Sequence, residues 1–408
     1  MRFLHTADLH LGKIFHEHSL IEDQRFMLDQ LIENLADLSY RALIIAGDVY
    51  DRSIPSPDGV DLFGSFLGKL KARRPDLAVL ILSGNHDSSS RLGFGKELFA
   101  ELGIHFSTDP AKADKPVMVR DGNTRDSCAF FLLPYMNPGS LCSELTGPAE
   151  EGGKTAEPIR SQARLAEEAA ARLEKGREEA LAVGVKHTVL AAHLFARGGV
   201  ESESERVFLG GAEQVDTKHF GGFDYLALGH LHQRQKAGER AWYSGSPLPY
   251  SFNEASPEQE KCFLSVELKE DNSLTVEPLP VRPLRRLRKL RGSFNYFYRE
   301  SAGDPEISKA EKDYIEIHLT DQGLVENPLP LLRQRFPWIL SIRQEAALSR
   351  LREGVPREEG AAGAVRERRT TVEDFEDFLT GIYGAPDNEK IALFRELLEE
   401  AERGEAET

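Results

Sequence analysis

Ala42-Leu43-Ile44-Ile45-Ala46-Gly47-Asp48-Val49-Tyr50-Asp51 changes character at one glycine. Five apolar residues with Ile44 and Ile45 at their centre give way to a segment carrying Asp48 and Asp51. A short run that is apolar at every position reads as a strand buried on both faces, and glycine lets the chain turn sharply after it. Four more runs share this form. Phe3–Ala7 leads into Asp8-Leu9-His10, and Val79–Ser83 into Gly84-Asn85-His86-Asp87. Thr188–Ala192 leads into His193, and Tyr225–Leu228 into Gly229-His230-Leu231-His232. Helix candidates lie between them at Ile21–Leu38, Gly59–Arg73 and Ile159–Val183. Such alternation predicts an α/β fold: a buried, largely parallel sheet with helices on both faces. Open α/β sheets bind ligands beyond the carboxyl ends of their strands. Five strands would therefore bring carboxylates, an amide and imidazoles to one place.

That donor set specifies a chemistry. Hard oxygens with imidazoles and no thiolate suit Mn²⁺, Mg²⁺, Fe or Zn rather than copper or an iron–sulfur cluster. Two ions ~3.5–4 Å apart would need a ligand facing both, which a carboxylate can supply, and such a pair clamps phosphodiester oxygens and acidifies water. His5, His16, His18, His105, His187, His219 and His318 belong to no such motif and are assigned no site role. Asp87 could orient a ligand or stabilise its turn. Cys128, Cys142 and Cys262 suit neither a disulfide framework nor a zinc knuckle; they read as buried hydrophobes, with a reducing cytoplasm as the expected location. No apolar run approaches the ~18 residues of a membrane span, and the opening residues lack the pattern of a secretory signal.

The 408 residues carry 51 basic and 67 acidic side chains, a net charge of −16, unevenly distributed. Twelve acids against three bases fall between Val372 and Thr408, whereas Arg282, Arg285, Arg286, Arg288, Lys289 and Arg291 are free of acids. Local patches rather than the total therefore decide which partners fit. Residues 1–281 read as the catalytic domain and 282–349 as a small α+β module with a strand at Tyr314–Leu319. A charged Gly/Ala linker at 350–370 and two amphipathic helices at 371–408 follow. The basic run could contact phosphate, or Leu284, Leu287 and Leu290 could mark a helix face or a ribbon packed on the body. Phe375, Phe378, Leu379, Ile382, Phe394, Leu397 and Leu398 lie on the two helical stripes, which could bind a partner or fold back.

The five blocks resemble, in order, the D-x-H, G-D-x-x-D, G-N-H-D/E, lone H and G-H-x-H pattern of the calcineurin-like metallophosphoesterases. His5–Lys13, Glu201–Arg206 and Tyr243–Phe252 are similar to the nuclease branch that works with an SbcC-type coiled-coil ATPase. The resemblance implies a sandwich of two facing β-sheets flanked by helices, a small α+β capping domain that contacts DNA, and C-terminal helices that dock on the ATPase. Carried over residue by residue, it implies that Asp8, His10 and His232 hold one ion. Asn85, His193 and His230 would hold the other, with Asp48 bridging. His86 would stabilise the phosphate charge and protonate the leaving group, and Asp51 would fix its tautomer. The implied activity is that of a two-metal DNA nuclease, dependent on Mn²⁺ or alternatively Mg²⁺, acting at double-strand ends and hairpins in recombination, replication and repair. It would combine 3′→5′ exonuclease action on duplex with endonuclease action on single strands, in a homodimer within a heterotetramer. A phosphoprotein phosphatase is the second reading, because Gly47–Arg52 resembles that branch's signature, although Ser53 and Asp87 stand where those enzymes carry Gly and Glu. A small-molecule phosphodiesterase and a non-catalytic DNA-end scaffold complete the alternatives; the scaffold is disfavoured because no ligand is missing.

Overall fold

Alternate side chains of a strand point to opposite faces, so a wholly apolar run needs cover on both. The computed structural model describes residues 1–121, 127–143, 157–200, 214–255, 260–301 and 303–345, with 372, 375, 376, 388, 390–395 and 398 beyond them. Its main strands begin with β1 (Arg2–Thr6), β2 (Ala42–Ala46), β3 (Ala78–Leu82), β4 (Ile104–Ser107), β5 (Val117–Arg120) and β6 (Ser127–Leu133). They continue with β7 (His187–His193), β8 (Tyr225–Gly229), β9 (Gln235–Lys236), β10 (Ala241–Tyr243), β11 (Cys262–Leu268) and β12 (Leu274–Pro280). These form two six-stranded sheets, in the orders β12-β11-β1-β2-β3-β4 and β9-β10-β8-β7-β6-β5. Strands β1 to β4 are parallel, as are β6, β7, β8 and β10.

The expectation of a single sheet covered by helices on both faces is thereby corrected. The five apolar runs divide, with β1, β2 and β3 in one sheet and β7 and β8 in the other. Phe3, Ile44 and Leu80 meet Phe130, Val189, Ala191 and Tyr225 between the sheets. Leu4, Leu43, Ile45 and Ile81 face the opposite way, toward α1 (Ile21–Asn34) and α2 (Pro57–Arg73). On the far side, Phe131 and Leu190 lie beneath the long helix Gln162–Ala182. A strand covered by a second sheet is as apolar as one covered by another helix layer, so composition does not separate the two. The paired sheets are those the family resemblance implies.

Helix α1 stops four residues before the expected Leu38. Arg74, 2% exposed, donates to the carbonyls of Leu35 (2.6 Å), Asp37 (2.8 Å) and Tyr40 (2.8 Å), gathering the chain as it leaves the helix. Asp76 accepts from the same guanidinium at 2.9 Å.

Residues 287–344 supply a three-stranded parallel sheet, β13 (Leu287–Gly292), β14 (Tyr314–Leu319) and β15 (Ile339–Gln344), with β14 central. Its own core includes Phe297, Ile315, Ile317, Phe336 and Ile339. The spacing of Leu287 and Leu290 therefore belongs to a strand, not a helix face. Leu287, Tyr314 and Leu340 join the core beneath α1, and the Tyr314 hydroxyl donates to Asp23 at 2.8 Å. The chain divides into two compact units, Met1–Leu348 and Ser349–Thr408. In the second, helical residues include Phe375 and Phe394, whose rings stack 4.1 Å apart. The expected linker at 350–370, the Glu201–Arg206 string, and Phe378, Leu379, Ile382 and Leu397 lie outside the described residues.

Replacing Arg74 by Met keeps its bulk but leaves buried carbonyls without donors. It is expected to lower stability by about 2–3 kcal/mol, on the scale of hydrogen bonds to a charged group. A urea unfolding midpoint would measure this, and an unchanged midpoint would refute the role given to the guanidinium.

Candidate metal centre

The carboxyl ends of β1, β2, β3, β7 and β8 converge from two sheets. Asp8 and His10 follow β1, Asp48 follows β2, and Asn85 and His86 follow β3; His193 ends β7, and His230 and His232 follow β8. Gly229 makes the approach possible, since a Cβ there would lie 1.8 Å from the Ala46 carbonyl oxygen. Gly84 does the same within the first sheet, where a Cβ would lie 2.0 Å from Asp48 Oδ1. The backbone bends sharply at the donors themselves. Asp8, His10, Asp48 and His230 have φ of 54°, 44°, 49° and 111°, values that non-glycine residues seldom adopt.

The donors are close and dry. His10 Nε2 lies 3.1 Å from His232 Nε2. Asn85 Oδ1 lies 2.9 Å from His193 Nε2 and 3.0 Å from His230 Nδ1. Asp48 Oδ2 stands between the groups, 3.7 Å from His10 Nε2 and 3.6 Å from His193 Nε2. Ligand atoms of Asp8, His10 and His232 lie within 4.8 Å of one another, as do those of Asp8, Asp48 and His193. The Asp8 carboxylate also accepts from the His230 N–H at 3.1 Å, tying the two sheets together.

A hydrogen bond orients the His193 ring, and carboxylates face the outer nitrogens of His10 and His232. His193 Nδ1 faces the Ala46 carbonyl at 2.9 Å and must donate, so its Nε2 presents a lone pair to the cluster. His10 Nδ1 lies 3.5 Å from Asp51 Oδ1, and His232 Nδ1 lies 3.6 Å from Glu254 Oε1. Protons held at those positions leave the two facing Nε2 atoms as lone pairs. Burial lowers the pKa of His10 to about 4 and of His230 to about 3, and depresses His193 as well. All three rings are therefore neutral at physiological pH. Burial opposes ionisation of Asp48, but charge on the neighbouring imidazoles, present only in acid, and the His86 N–H hold it below the usual carboxylate range. Neutral imidazole lone pairs converging on an ionised carboxylate and an amide oxygen are a poor match for one another and a good match for divalent cations.

Asp51 does reach His86, through its main chain: the Asp51 carbonyl accepts from His86 Nδ1 at 2.9 Å. Its carboxylate is drawn away to Lys13 Nζ, at 2.6 Å, and toward His10. His86 Nε2 points inward, 4.0 Å from Asp48 Oδ2, and the His86 N–H donates to Asp48 Oδ1 at 2.9 Å. Both readings of Asp87 meet in one contact set: it accepts from the N–H groups of Val49 (3.1 Å), Tyr50 (2.9 Å) and Gly84 (3.0 Å), stapling the loops after β2 and β3. His5 sits deep between the sheets against the Tyr225 hydroxyl and the Leu228 carbonyl, where burial lowers its pKa to about 3. Like the other unassigned histidines, it joins none of the donor groups found among the described residues.

The basic run does not form one free patch. Arg285 pairs with Glu22 and Asp23, Arg288 with Asp313, and Arg291 with Glu345, while Lys289 donates to Asn253. Sequence reasoning gave no role to Glu254, Lys261 or Tyr250, which stand behind the candidate donors His10 and His232. The signal was present: Tyr250 lies in the Tyr243–Phe252 string, and Glu254 follows it.

The family model for the calcineurin-like phosphoesterases matches residues 1–234. The chain belongs to the calcineurin-like phosphoesterase family. It is also 30% identical over 347 residues to the SbcD subunit of the SbcCD nuclease of Staphylococcus saprophyticus, covering 85% of each chain, and is therefore an SbcD homologue. Among solved structures, a calcineurin-like phosphoesterase, YfkN, from Bacillus subtilis aligns with a TM-score of 0.33 and 13% identity, over 68% of this chain and 88% of that one. A Staphylococcus aureus protein provisionally assigned as a 5′-nucleotidase aligns with a TM-score of 0.35 and 14% identity, over 69% of this chain and 54% of that one. Membership makes the chain a metal-dependent phosphoesterase. No helix among the described residues is long and apolar enough to cross a membrane.

Two substitutions probe the staples around Asp48. Gly84→Ala should displace the Asp48 carboxylate and weaken divalent-ion binding while leaving the sheets folded; calorimetric titration showing wild-type affinity would contradict the crowding. Asp87→Asn turns an amide donor toward N–H groups. It should cost about 1–3 kcal/mol, visible as a lower thermal midpoint, and an unchanged midpoint would show that the staple is idle.

Proposed function

We propose that this phosphoesterase is a DNA nuclease that hydrolyses phosphodiester bonds at double-strand ends and hairpins. The observation carrying this reading is the length of the match to the SbcD relative: 347 aligned residues, against the 234 of the phosphoesterase model. A full set of donors at the strand ends supports catalysis over a scaffolding role. In this reading Asp8, His10 and His232 hold one ion, Asn85, His193 and His230 the other, and Asp48 both. Such ions, Mn²⁺ or Mg²⁺, would polarise a phosphoryl oxygen and lower the pKa of water.

The chain's own residues supply the rest. His86 has 12% of its side chain exposed, against 0–6% for His10, Asp48, His193 and His232, so it is open to an arriving phosphodiester. The Asp51 carbonyl anchors its Nδ1 and aims Nε2 inward, where it would hydrogen-bond the phosphate and hand a proton to the departing alkoxide. The main chain and carboxylate of Asp51 thus serve His86 and His10 respectively. Of the basic run, Arg282, Arg286 and Lys289 are exposed and have no carboxylate partner among the described residues; they are the proposed DNA contacts.

The assembly proposed is a homodimer joined to an SbcC-type ATPase, with the duplex cut 3′→5′ and single strands cut internally. Docking of the ATPase on the C-terminal helices would leave Phe375 and Phe394 packed on each other and use their neighbours, Leu398 among them. For the homodimer, Phe94, Leu98 and Leu102 are 83%, 77% and 58% exposed at four-residue spacing along the helix Lys96–Glu101 and its flanks. Three large apolar side chains exposed within nine residues are a candidate contact face that singly scattered surface residues are not.

Incubation of end-labelled duplex and hairpin DNA with Mn²⁺ should give products that Asp48→Ala abolishes. Cleavage of a generic phosphodiester without any cleavage of DNA would remove the substrate assignment and keep the site. His86→Ala should lower the rate ~10²–10⁴-fold, as for a lost general acid, with metal uptake retained; loss of the ions would make it a ligand instead. Leu98→Glu should turn a dimer into a monomer by light scattering, and an unaltered mass would exclude this face.

A further inference from the structure

His232 is gripped from behind by a buried ion pair. Its Nε2 faces His10 Nε2 across 3.1 Å, while its Nδ1 lies 3.6 Å from Glu254 Oε1. Glu254 is 3% exposed. Its Oε2 accepts from Lys261 Nζ at 2.7 Å and from the Tyr250 N–H at 3.2 Å, and its Oε1 accepts from the Ser251 hydroxyl at 3.1 Å. Lys261 Nζ also donates to the main-chain carbonyl of His232 at 2.9 Å, a carbonyl that the Ser246 N–H reaches at 3.1 Å. One ion pair thus holds both the ring and the backbone of a single histidine.

The same device stands behind the facing imidazole. His10 Nδ1 lies 3.5 Å from Asp51 Oδ1, and Asp51 takes Lys13 Nζ at 2.6 Å. Two histidines whose Nε2 atoms meet are each backed by a carboxylate, and each carboxylate by a lysine. Asp51 lies inside the segment that the phosphoesterase model matches, whereas Glu254 and Lys261 lie beyond residue 234.

We propose that Glu254 is a positioning residue for divalent-ion binding at His232, with Lys261 as its anchor. A carboxylate at Nδ1 keeps the proton there, turns the Nε2 lone pair toward the ion and strengthens it as a donor; loss of such a partner typically lowers metal affinity 10–100-fold. The same pair fixes the ring's position, because Lys261 holds the carbonyl of the very residue whose side chain Glu254 holds. The inference rests on the two-ion reading of the site, and the test separates the two.

Metal-free full-length protein would be titrated with Mn²⁺, following the electron paramagnetic resonance signal of the free ion, beside thermal unfolding without metal. The wild type should take up two ions. Glu254→Gln should keep one at wild-type affinity and bind the other ~10–100-fold more weakly, with little change in the metal-free midpoint. The double variant with His232→Ala should bind no more weakly than His232→Ala alone. Lys261→Met should weaken the same single ion. Unchanged affinity at both positions in Glu254→Gln or in Lys261→Met would overturn the proposal. So would equal weakening of both ions with a lowered midpoint, which is the signature of a packing role alone. A wild type that takes up no Mn²⁺ would defeat the two-ion reading itself, and this inference with it.

Discussion

A carboxylate sealed from water is tolerable only among groups that favour its charge, and Asp48 is such a carboxylate. It is 2% exposed at the end of β2, with imidazoles from β1, β3 and β7 around it and the His86 N–H on its Oδ1. Without β7 there is no His193, and without Gly84 there is no room for the carboxylate beside β3. Both sheets must form, and face each other, before this one residue has its surroundings.

The local conformation carries a cost that the sheets offset. Asp8, His10, Asp48 and His230 all have positive φ, and a non-glycine residue held there costs on the order of 1–3 kcal/mol. Two kinds of contact over-determine these bends. Gln24 donates to the His10 carbonyl at 2.7 Å, and Asp87 pins the N–H groups of the two residues after Asp48. The strain aims side chains that would otherwise follow the strand direction, and the staples keep them aimed before any ligand arrives.

Much of this was legible in the residues alone. The run at Ala42–Ala46 is a strand with those bounds, and Tyr314–Leu319 is the central strand of the three-stranded sheet. The donor blocks were readable because a run of apolar residues breaking into Asp or His has few other uses when it recurs. What escaped was whatever carries no chemistry at its end. β6, Ser127–Leu133, is as apolar as any strand here but runs into Pro134, so nothing marked it as a strand of the second sheet beside β7. Glu254 and Lys261 escaped because a Glu and a Lys seven residues apart look like ordinary surface charge; only the tertiary fold buries them against His232. The basic run misled for the opposite reason, since Asp23, Asp313 and Glu345, which neutralise half of it, are distant in sequence.

The central claim is that Asp48 lies between two cation positions built by strand ends from both sheets. Anomalous diffraction at the manganese edge, from crystals of the full-length protein soaked in Mn²⁺, tests it directly. Two peaks ~3.5–4 Å apart are expected, one beside Asp8, His10 and His232 and the other beside Asn85, His193 and His230, with the Asp48 carboxylate touching both. A single peak, or a pair that Asp48 does not bridge, would contradict the account.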